Sequence, residues 1–319
     1  MLIREALSQG RDRLRLAGID EAQVECEYML MKLLNVTRSV LHYDRCRLAA
    51  EPSARMDLGS GFRPTASEAI ARLTTDQEKQ FFDWIESREK RIPLAYLLGD
   101  VFFHSLKLKV RAGCLIPRPE TERLVEESIQ VLKADLISNP YVIDLGSGSG
   151  AIALSLLAAM PEAKATLVDL SEEALAVAHE NAQELGFLNR AEFVLSDLFS
   201  APYFLSAKKE SYDLVVSNPP YLTEQDLKEL QPEVAFEPRM ALDGGKDGLV
   251  FYRRIVREAK NFLKPRGWIA FEVGAGQAAD VCEELKKYQY EEIRVFRDYQ
   301  GIERVVLGRL GSRRCSTAA

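Results

Sequence analysis

The chain has no stretch of about 18 consecutive apolar residues, so a membrane-spanning helix is not expected. Met1 to Gly10 carries Arg4 and Glu5 and no apolar signal core, so a cytoplasmic protein is expected. Cysteine is sparse and odd in number. Cys26, Cys46, Cys114, Cys282 and Cys315 are widely spaced, with no C-x-x-C. They read as reduced thiols rather than a disulfide framework. Histidine is scarcer still: His42, His104 and His179 stand apart and none lies near a cysteine pair, so no metal centre is expected. A basic excess is also missing. The 42 Lys and Arg face 48 Asp and Glu, a formal net charge of -6, which weighs against nucleic acid as the partner.

What is present is the mix of an ordinary globule, 47% hydrophobic and 28% charged over 319 residues. That length suits one large domain or two unequal ones. Residues 1–90 read as helical. Apolar positions at helical spacing run over Ile3–Leu16 and Ala22–Leu34, Thr37 is placed to cap a short helix through Leu41, and Asp76 to cap one through Phe81 and Ile85. Glu51 to Ser67, with two prolines and two glycines, reads as an insertion. With 14 basic and 15 acidic residues, this module shows no basic face in its composition.

Residues 91–112 read as a connector, with short runs at Leu97–Phe103 and Leu106–Val110 that fit a hairpin. A proline turn, Gly113–Pro119, then leads into a helix over Glu120–Ile137. Over residues 113–310, strands and helices alternate. The runs Tyr141–Leu145, Ala165–Val168, Glu192–Leu195, Asp213–Val216 and Trp268–Val273 are mostly separated by helical segments, which argues for a parallel sheet covered on both faces. Glu291–Arg297 and Glu303–Leu310 fit a terminal antiparallel hairpin. Residues 311–319 form a polar tail expected to be disordered.

Two motifs carry chemistry. Gly146-Ser147-Gly148-Ser149-Gly150 runs off a strand into a helix, letting the backbone turn sharply and approach a ligand beside free N–H groups. Asp169 ends the next strand, where an acid accepts from ribose hydroxyls. Together they indicate an adenosine ligand. Gly146, Gly148 and Ala151 also satisfy a dinucleotide fingerprint, so the spacing leaves the kind of cofactor open. Asp144 either orders the loop for a sulfonium cofactor or is a satisfied buried acid. Asp197 either reaches an adenine amino group or caps the following turn.

The second motif is Ser217-Asn218-Pro219-Pro220-Tyr221, directly after the fourth strand of the alternating region. Two prolines stiffen the corner and lack N–H groups. The Asn218 side-chain oxygen and the Pro219 carbonyl then form an acceptor pair for a planar NH2 group, with Tyr221 as an aromatic wall. An amide nitrogen is a poor nucleophile because its lone pair is delocalised. Acceptors on both hydrogens favour pyramidalisation and turn the lone pair toward a methyl donor.

On these residues the chain resembles S-adenosylmethionine-dependent methyltransferases acting on planar nitrogens, and more narrowly the bacterial release factor glutamine methyltransferase family. The likeness extends to Arg91-Ile92-Pro93-Leu94-Ala95-Tyr96 with Gly99, and to Leu115-Ile116-Pro117-Arg118-Pro119-Glu120-Thr121-Glu122. It implies a Rossmann-like class I fold: a doubly wound, mostly parallel seven-stranded α/β sheet, with a small helical N-terminal domain that helps dock the substrate. It implies N5-methylation of the glutamine in the Gly-Gly-Gln loop of peptide chain release factors, by a monomer, leaving S-adenosylhomocysteine. Gly146 to Gly150, Asp169, Asp197, Leu198 and Asn218 would bind the cofactor, and Asn218, Pro219, Pro220 and Tyr221 the glutamine. The family often has tryptophan where Leu198 stands, which implies weaker cofactor binding here. Glutamine methylation of a ribosomal protein and N6-methylation of adenine use similar corners and remain alternatives; a nicotinamide-dependent oxidoreductase or a non-enzymatic adaptor would leave the corner unexplained.

For the remaining residues the expectations are blander. Glu120 and Glu122 are expected to stabilise their own helix start rather than to contact substrate. Arg118 either anchors that turn or touches the cofactor. Phe102, Phe103 and Tyr96 either wall the glutamine pocket or, as expected here, pack in the core, and Gly244, Gly245 and Gly248 mark a turn.

Overall fold

Apolar residues at positions 3, 6, 7, 10 and 14 line one stripe of the first helix, and the structure buries all five. This computed structural model describes residues 1–41, 72–206 and 210–312. The expected insertion Glu51–Ser67, with His42, Cys46 and Cys315, lies outside the described residues, as does the tail beyond residue 312. The chain divides into two compact units, Met1–Leu98 and Gly99–Ala319.

The first unit is helical: α1 (Ile3–Leu16), α2 (Ala22–Leu34), a turn of helix over 38–41, α3 (Thr75–Glu89) and α4 (Leu94–Leu98). Leu7 and Leu14 pack with Cys26, Met29 and Leu30 of α2 and Phe81 and Ile85 of α3. Gly10 has no side chain because the Phe81 ring occupies its place; a Cβ there would lie 2.9 Å from it. Two ion pairs join the helices, Arg88 to Glu25 at 2.7 Å and Arg13 to Glu89 at 2.6 Å. Asp76 is not the cap of α3. Thr74 is: its Oγ1 accepts from the Gln77 N–H at 3.2 Å while Gln77 Oε1 accepts from the Thr74 N–H at 3.0 Å, so the T-x-x-Q box starts the helix two residues earlier. Leu97, expected at a strand start, falls in α4.

The second unit opens with an antiparallel hairpin, β1 (Asp100–Phe103) and β2 (Leu106–Lys109), and α5 (Pro119–Ala134), whose first residue is a proline that needs no N–H partner. There follow β3 (Tyr141–Leu145), α6 (Ala151–Ala159), β4 (Lys164–Asp169), α7 (Glu172–Glu184), β5 (Ala191–Leu195), α8 (Pro202–Ser206), β6 (Tyr212–Ser217), α9 (Val250–Ala259), β7 (Leu263–Glu272), α10 (Ala278–Lys287), β8 (Tyr290–Arg297) and β9 (Glu303–Leu310). The seven-stranded sheet has the order β5-β4-β3-β6-β7-β9-β8. It is parallel except for β9, which runs antiparallel to both β7 and β8.

Both faces of the sheet are buried, so its strands read as continuous apolar runs. Leu214 and Val216 of β6 enter one core with residues of α5 and α6, while Val215 between them enters the other with residues of α9 and α10. Phe103 belongs to the first core, but Phe102 is 77% exposed. The hairpin turns alternate side chains to opposite faces, so only one of two adjacent phenylalanines can be covered.

The strand order fixes where a ligand sits. The chain steps outward from β3 to β4 and β5, then returns to pair β6 with β3. At that reversal the connections diverge and leave a crevice at the carboxyl ends of the strands. Leu145 and Ser217 are partners in register, so the glycine loop and the Asn-Pro-Pro-Tyr corner emerge side by side.

Candidate active site

A cleft of about 380 Å³ opens at this point, wholly within the second unit. Gly146, Ser147, Gly148 and Ser149 line it from β3, Asp169 from β4, Asp197 and Leu198 from β5, and Asn218, Pro219 and Pro220 from β6. Gly150 does not line it. At φ +82° it is the N-cap of α6, and a Cβ there would lie 3.0 Å from Leu154 and 3.1 Å from Leu167, so it closes the turn against the core.

The loop is held by backbone bonds. The N–H groups of Gly146 and Ser147 donate to the Val168 carbonyl at 2.8 and 3.0 Å. Asp169 Oδ2 accepts from the Gly148 N–H at 2.8 Å and Oδ1 from the Ser171 N–H at 2.9 Å. Burial raises the Asp169 pKa against these bonds. A carboxylate has about four lone-pair sites, so acceptor capacity remains toward the cleft for a diol. Ser147 Oγ is buried there without a partner among the described residues. An acid with acceptor capacity for a diol and an unpaired hydroxyl, beside apolar Leu198, fit S-adenosylmethionine.

Three acids have partners that the sequence does not show. Asp144 is fully buried in β3 and does not line the cleft. Its Oδ2 accepts from the Ala153 N–H at 3.1 Å, bracing α6, while Oδ1 has no partner among the described residues. It is therefore neither a cofactor contact nor a fully satisfied acid, and burial pushes its pKa to about 7. The Asp197 side chain lines the cleft and pairs with Arg254 of α9 at 2.9 Å, while its main-chain carbonyl accepts from the Ser200 N–H of the following turn at 3.2 Å. Glu122 lies in the first turn of α5 as expected, and also accepts the His104 N–H at 2.7 Å, tying the hairpin to that helix. Leu198 adopts φ +53°, uncommon for a side-chain-bearing residue, and is buried at the cleft wall.

At the corner, Asn218 Nδ2 donates to Thr121 Oγ1 at 3.3 Å. The Thr121 hydroxyl donates in turn to Glu272 Oε2. Among the described residues no hydrogen bond is made to Asn218 Oδ1 or to the Pro219 carbonyl. Tyr221 is not the aromatic wall expected of it. It is absent from the cleft lining; its ring packs beside Gly274 with the second core, and its carbonyl accepts from Gln277 Nε2 at 3.0 Å.

Gly244 and Gly248 do more than turn the chain. A Cβ on Gly244 would stand 2.7 Å from Tyr221 Cα and 2.8 Å from the Pro220 carbonyl oxygen, and one on Gly248 2.4 Å from the Tyr221 carbonyl oxygen. The diproline corner rests directly on this backbone. Arg118 is an anchor: it pairs with Glu237, whose other oxygen accepts from the Ile116 N–H at 3.0 Å. Glu237, which ties the 218–249 segment to the turn before α5, has no local signal in the sequence. Gly244, Gly245 and Gly248 read as a turn, but the close approach of Gly244 and Gly248 to the corner comes from the fold.

Among the described residues, no group of His, Cys, Asp and Glu could hold a metal ion, and no helix is long and apolar enough to cross a membrane.

Comparison with known proteins agrees with this geometry. Residues 125–243 match the family model described as Methyltransferase small domain, and residues 5–57 match the PrmC N-terminal domain. A release factor glutamine methyltransferase from Caulobacter vibrioides is 36% identical over 305 residues, 95% of each chain. One from Geobacter sulfurreducens is 36% identical over 313 residues, 97% of each chain. The catalytic domain of hMettl16, solved in complex with MAT2A 3'UTR hairpin 6, has a TM-score of 0.51 at 16% identity, covering 73% of this chain and 81% of that one, a likeness of fold alone. With relatives at this identity over nearly the whole length of both chains, the chain belongs to the release factor glutamine methyltransferase family.

Proposed function

We propose that this protein transfers a methyl group from S-adenosylmethionine to the side-chain nitrogen of the glutamine in the Gly-Gly-Gln loop of peptide chain release factors. The observation that carries the proposal is the orientation of Asn218. Its NH2 is engaged by Thr121, which leaves Oδ1 and the neighbouring Pro219 carbonyl as two acceptors at the cleft.

S-adenosylmethionine, when bound, supplies an electrophilic methyl carbon on its sulfonium. The chain does the rest by positioning. Asp169 would hold the adenosine end, and Leu198 would cover an apolar face. Asn218 Oδ1 and the Pro219 carbonyl each accept one N–H of the glutamine amide, pulling its lone pair out of conjugation and aiming it along the line of transfer. No strong base is needed, because an N-protonated amide is acidic enough to lose its proton to solvent. The two prolines keep both acceptors fixed, so little reorganisation is needed when the amide arrives. The helical first unit supplies docking surface for the release factor.

Purified protein incubated with a release factor and S-adenosylmethionine tests the proposal by peptide mass spectrometry. One added methyl group on the loop glutamine is the expected result. Methylation of a ribosomal protein instead, with the release factor untouched, would overturn it.

A further inference from the structure

The geometry points to Thr121 and Glu272 as positioning residues that set the flip state of the Asn218 amide. This rests on the function proposed above and adds to it what chooses between the two orientations of that side chain. An asparagine amide is nearly symmetric in shape, and only its partners decide whether oxygen or NH2 faces the substrate. With the NH2 outward, a donor would meet the donor hydrogens of the glutamine amide and the corner could not hold it.

The inner partners form an acceptor-rich face. Glu272 ends β7 and is buried, Thr121 sits in the first turn of α5 and is buried, and 151 positions of sequence separate them. Thr121 spends its only hydrogen on Glu272 Oε2 and so can only accept from Asn218. A threonine hydroxyl beside an ionised carboxylate is therefore locked as an acceptor toward the amide, and the Asn218 NH2 must turn inward. The Glu272 side chain is too deep to serve as substrate contact: it is absent from the cleft lining, whereas Thr121 and Asn218 are present.

Other groups facing Glu272 leave this polarity intact. Glu120 comes from α5, Tyr221 from the corner, Tyr252 from α9 and Arg304 from β9. The Tyr252 hydroxyl is committed to the Glu272 main-chain carbonyl at 2.9 Å. Arg304 is committed to Asp298 at 3.2 Å and to the Val273 carbonyl at 3.4 Å. Burial pushes the Glu272 carboxyl up to about 7, with Thr121 and Asn218 opposing. Protonation would place an O–H donor on the face that must only accept, so the lock weakens as pH falls through that value.

The test uses the full chain with Glu272→Gln, Thr121→Val and Thr121→Ser. Turnover on a release factor, cofactor affinity by calorimetry and the Asn218 side-chain NH2 resonances, assigned by their loss in Asn218→Ala, are read as a function of pH. For Glu272→Gln, kcat is expected to fall about 100-fold with the cofactor Kd within about threefold, the effect of misplacement rather than lost binding. The wild-type decline in kcat below about pH 7 should vanish in that variant, and the Asn218 resonances should titrate in the wild type only. Thr121→Val should lose about tenfold in kcat, and Thr121→Ser, which keeps the hydroxyl, should recover most of it. Wild-type kcat and pH profile in Glu272→Gln would overturn the inference, as would equal turnover in the valine and serine variants. Should Glu272→Gln fail to fold, the valine and serine pair decides alone. A wild-type protein that leaves the release factor unmethylated would defeat the proposed function instead, while the Asn218 resonances still decide the inference.

Discussion

Ser217 donates its hydroxyl to the Leu145 carbonyl at 2.6 Å, at the buried point where β3 and β6 end side by side. The bond pins the last residue of one strand to the last residue of the other. From this clamp the glycine loop leaves in one direction and the diproline corner in the other. The spacing between a methyl donor and its acceptor is thereby set by the sheet, which is rigid, and not by the loops.

Removing the Asn218 acceptor tests the corner. Asn218→Ala leaves the Pro219 carbonyl alone to hold the amide and is expected to lower kcat by about 100- to 1,000-fold, the scale of losing one preorganised polar contact. Cofactor affinity should change by less than about threefold, since Asp169 and the loop are untouched. Steady-state kinetics with calorimetry separates the two.

A single methyl group on Gly244 should displace the corner from behind. Its Cβ would meet backbone on two sides, at 2.7 Å from Tyr221 Cα and 2.8 Å from the Pro220 oxygen, and backbone cannot swing aside. Gly244→Ala is expected to cost about 1–3 kcal/mol in unfolding free energy as overpacking. It should also lower kcat about tenfold or more by moving both acceptors. Urea unfolding and turnover check the pair of effects.

Asp144 gives a pH dependence of stability with a definite sign. Its ordinary value is 3.8 and burial raises it to about 7 in the folded chain. A native carboxyl raised in this way contributes stability that is complete below pH 3.8 and declines as pH rises toward about 7. The upper bound is roughly 4 kcal/mol. Asp144→Asn keeps an acceptor for the Ala153 N–H and does not titrate. The variant should gain on the wild type as pH rises from about 5 to about 8, measured by urea unfolding without cofactor.

The helical unit should matter for the protein substrate and not for the cofactor. Every residue lining the cleft lies in the Gly99–Ala319 unit. Removing residues 1–98 is expected to leave cofactor affinity within about threefold and to slow methylation of whole release factor by about tenfold or more, through lost docking surface. Equal loss of both would mean that the helical unit supports the fold of the other.

Much of this was legible in the sequence because it is local. Strand, glycine loop and helix occur in order from Tyr141 to Ala159, and the prolines at 219 and 220 declare a stiff corner without any structure. The apolar runs of β3, β4 and β6 announced a sheet buried on both faces. Tertiary pairings were not legible. Nothing in the sequence brings Thr121 to Glu272, Arg118 to Glu237, or Arg254 to Asp197, because each pair joins elements distant along the chain. Tyr221 misled for the same reason: proximity to the corner suggested a wall, but packing beside Gly274 decided the direction of its ring. The cap of α3 is a different case, since Thr74 and Gln77 stand at capping-box spacing and were readable.

The most direct measurement is a crystal structure of the protein with S-adenosylhomocysteine and a Gly-Gly-Gln peptide. The account predicts the glutamine nitrogen about 2.8–3.2 Å from both Asn218 Oδ1 and the Pro219 carbonyl oxygen, its remaining face toward the cofactor sulfur. An Asn218 oxygen turned inward to Thr121, or a glutamine bound away from the corner, would contradict it.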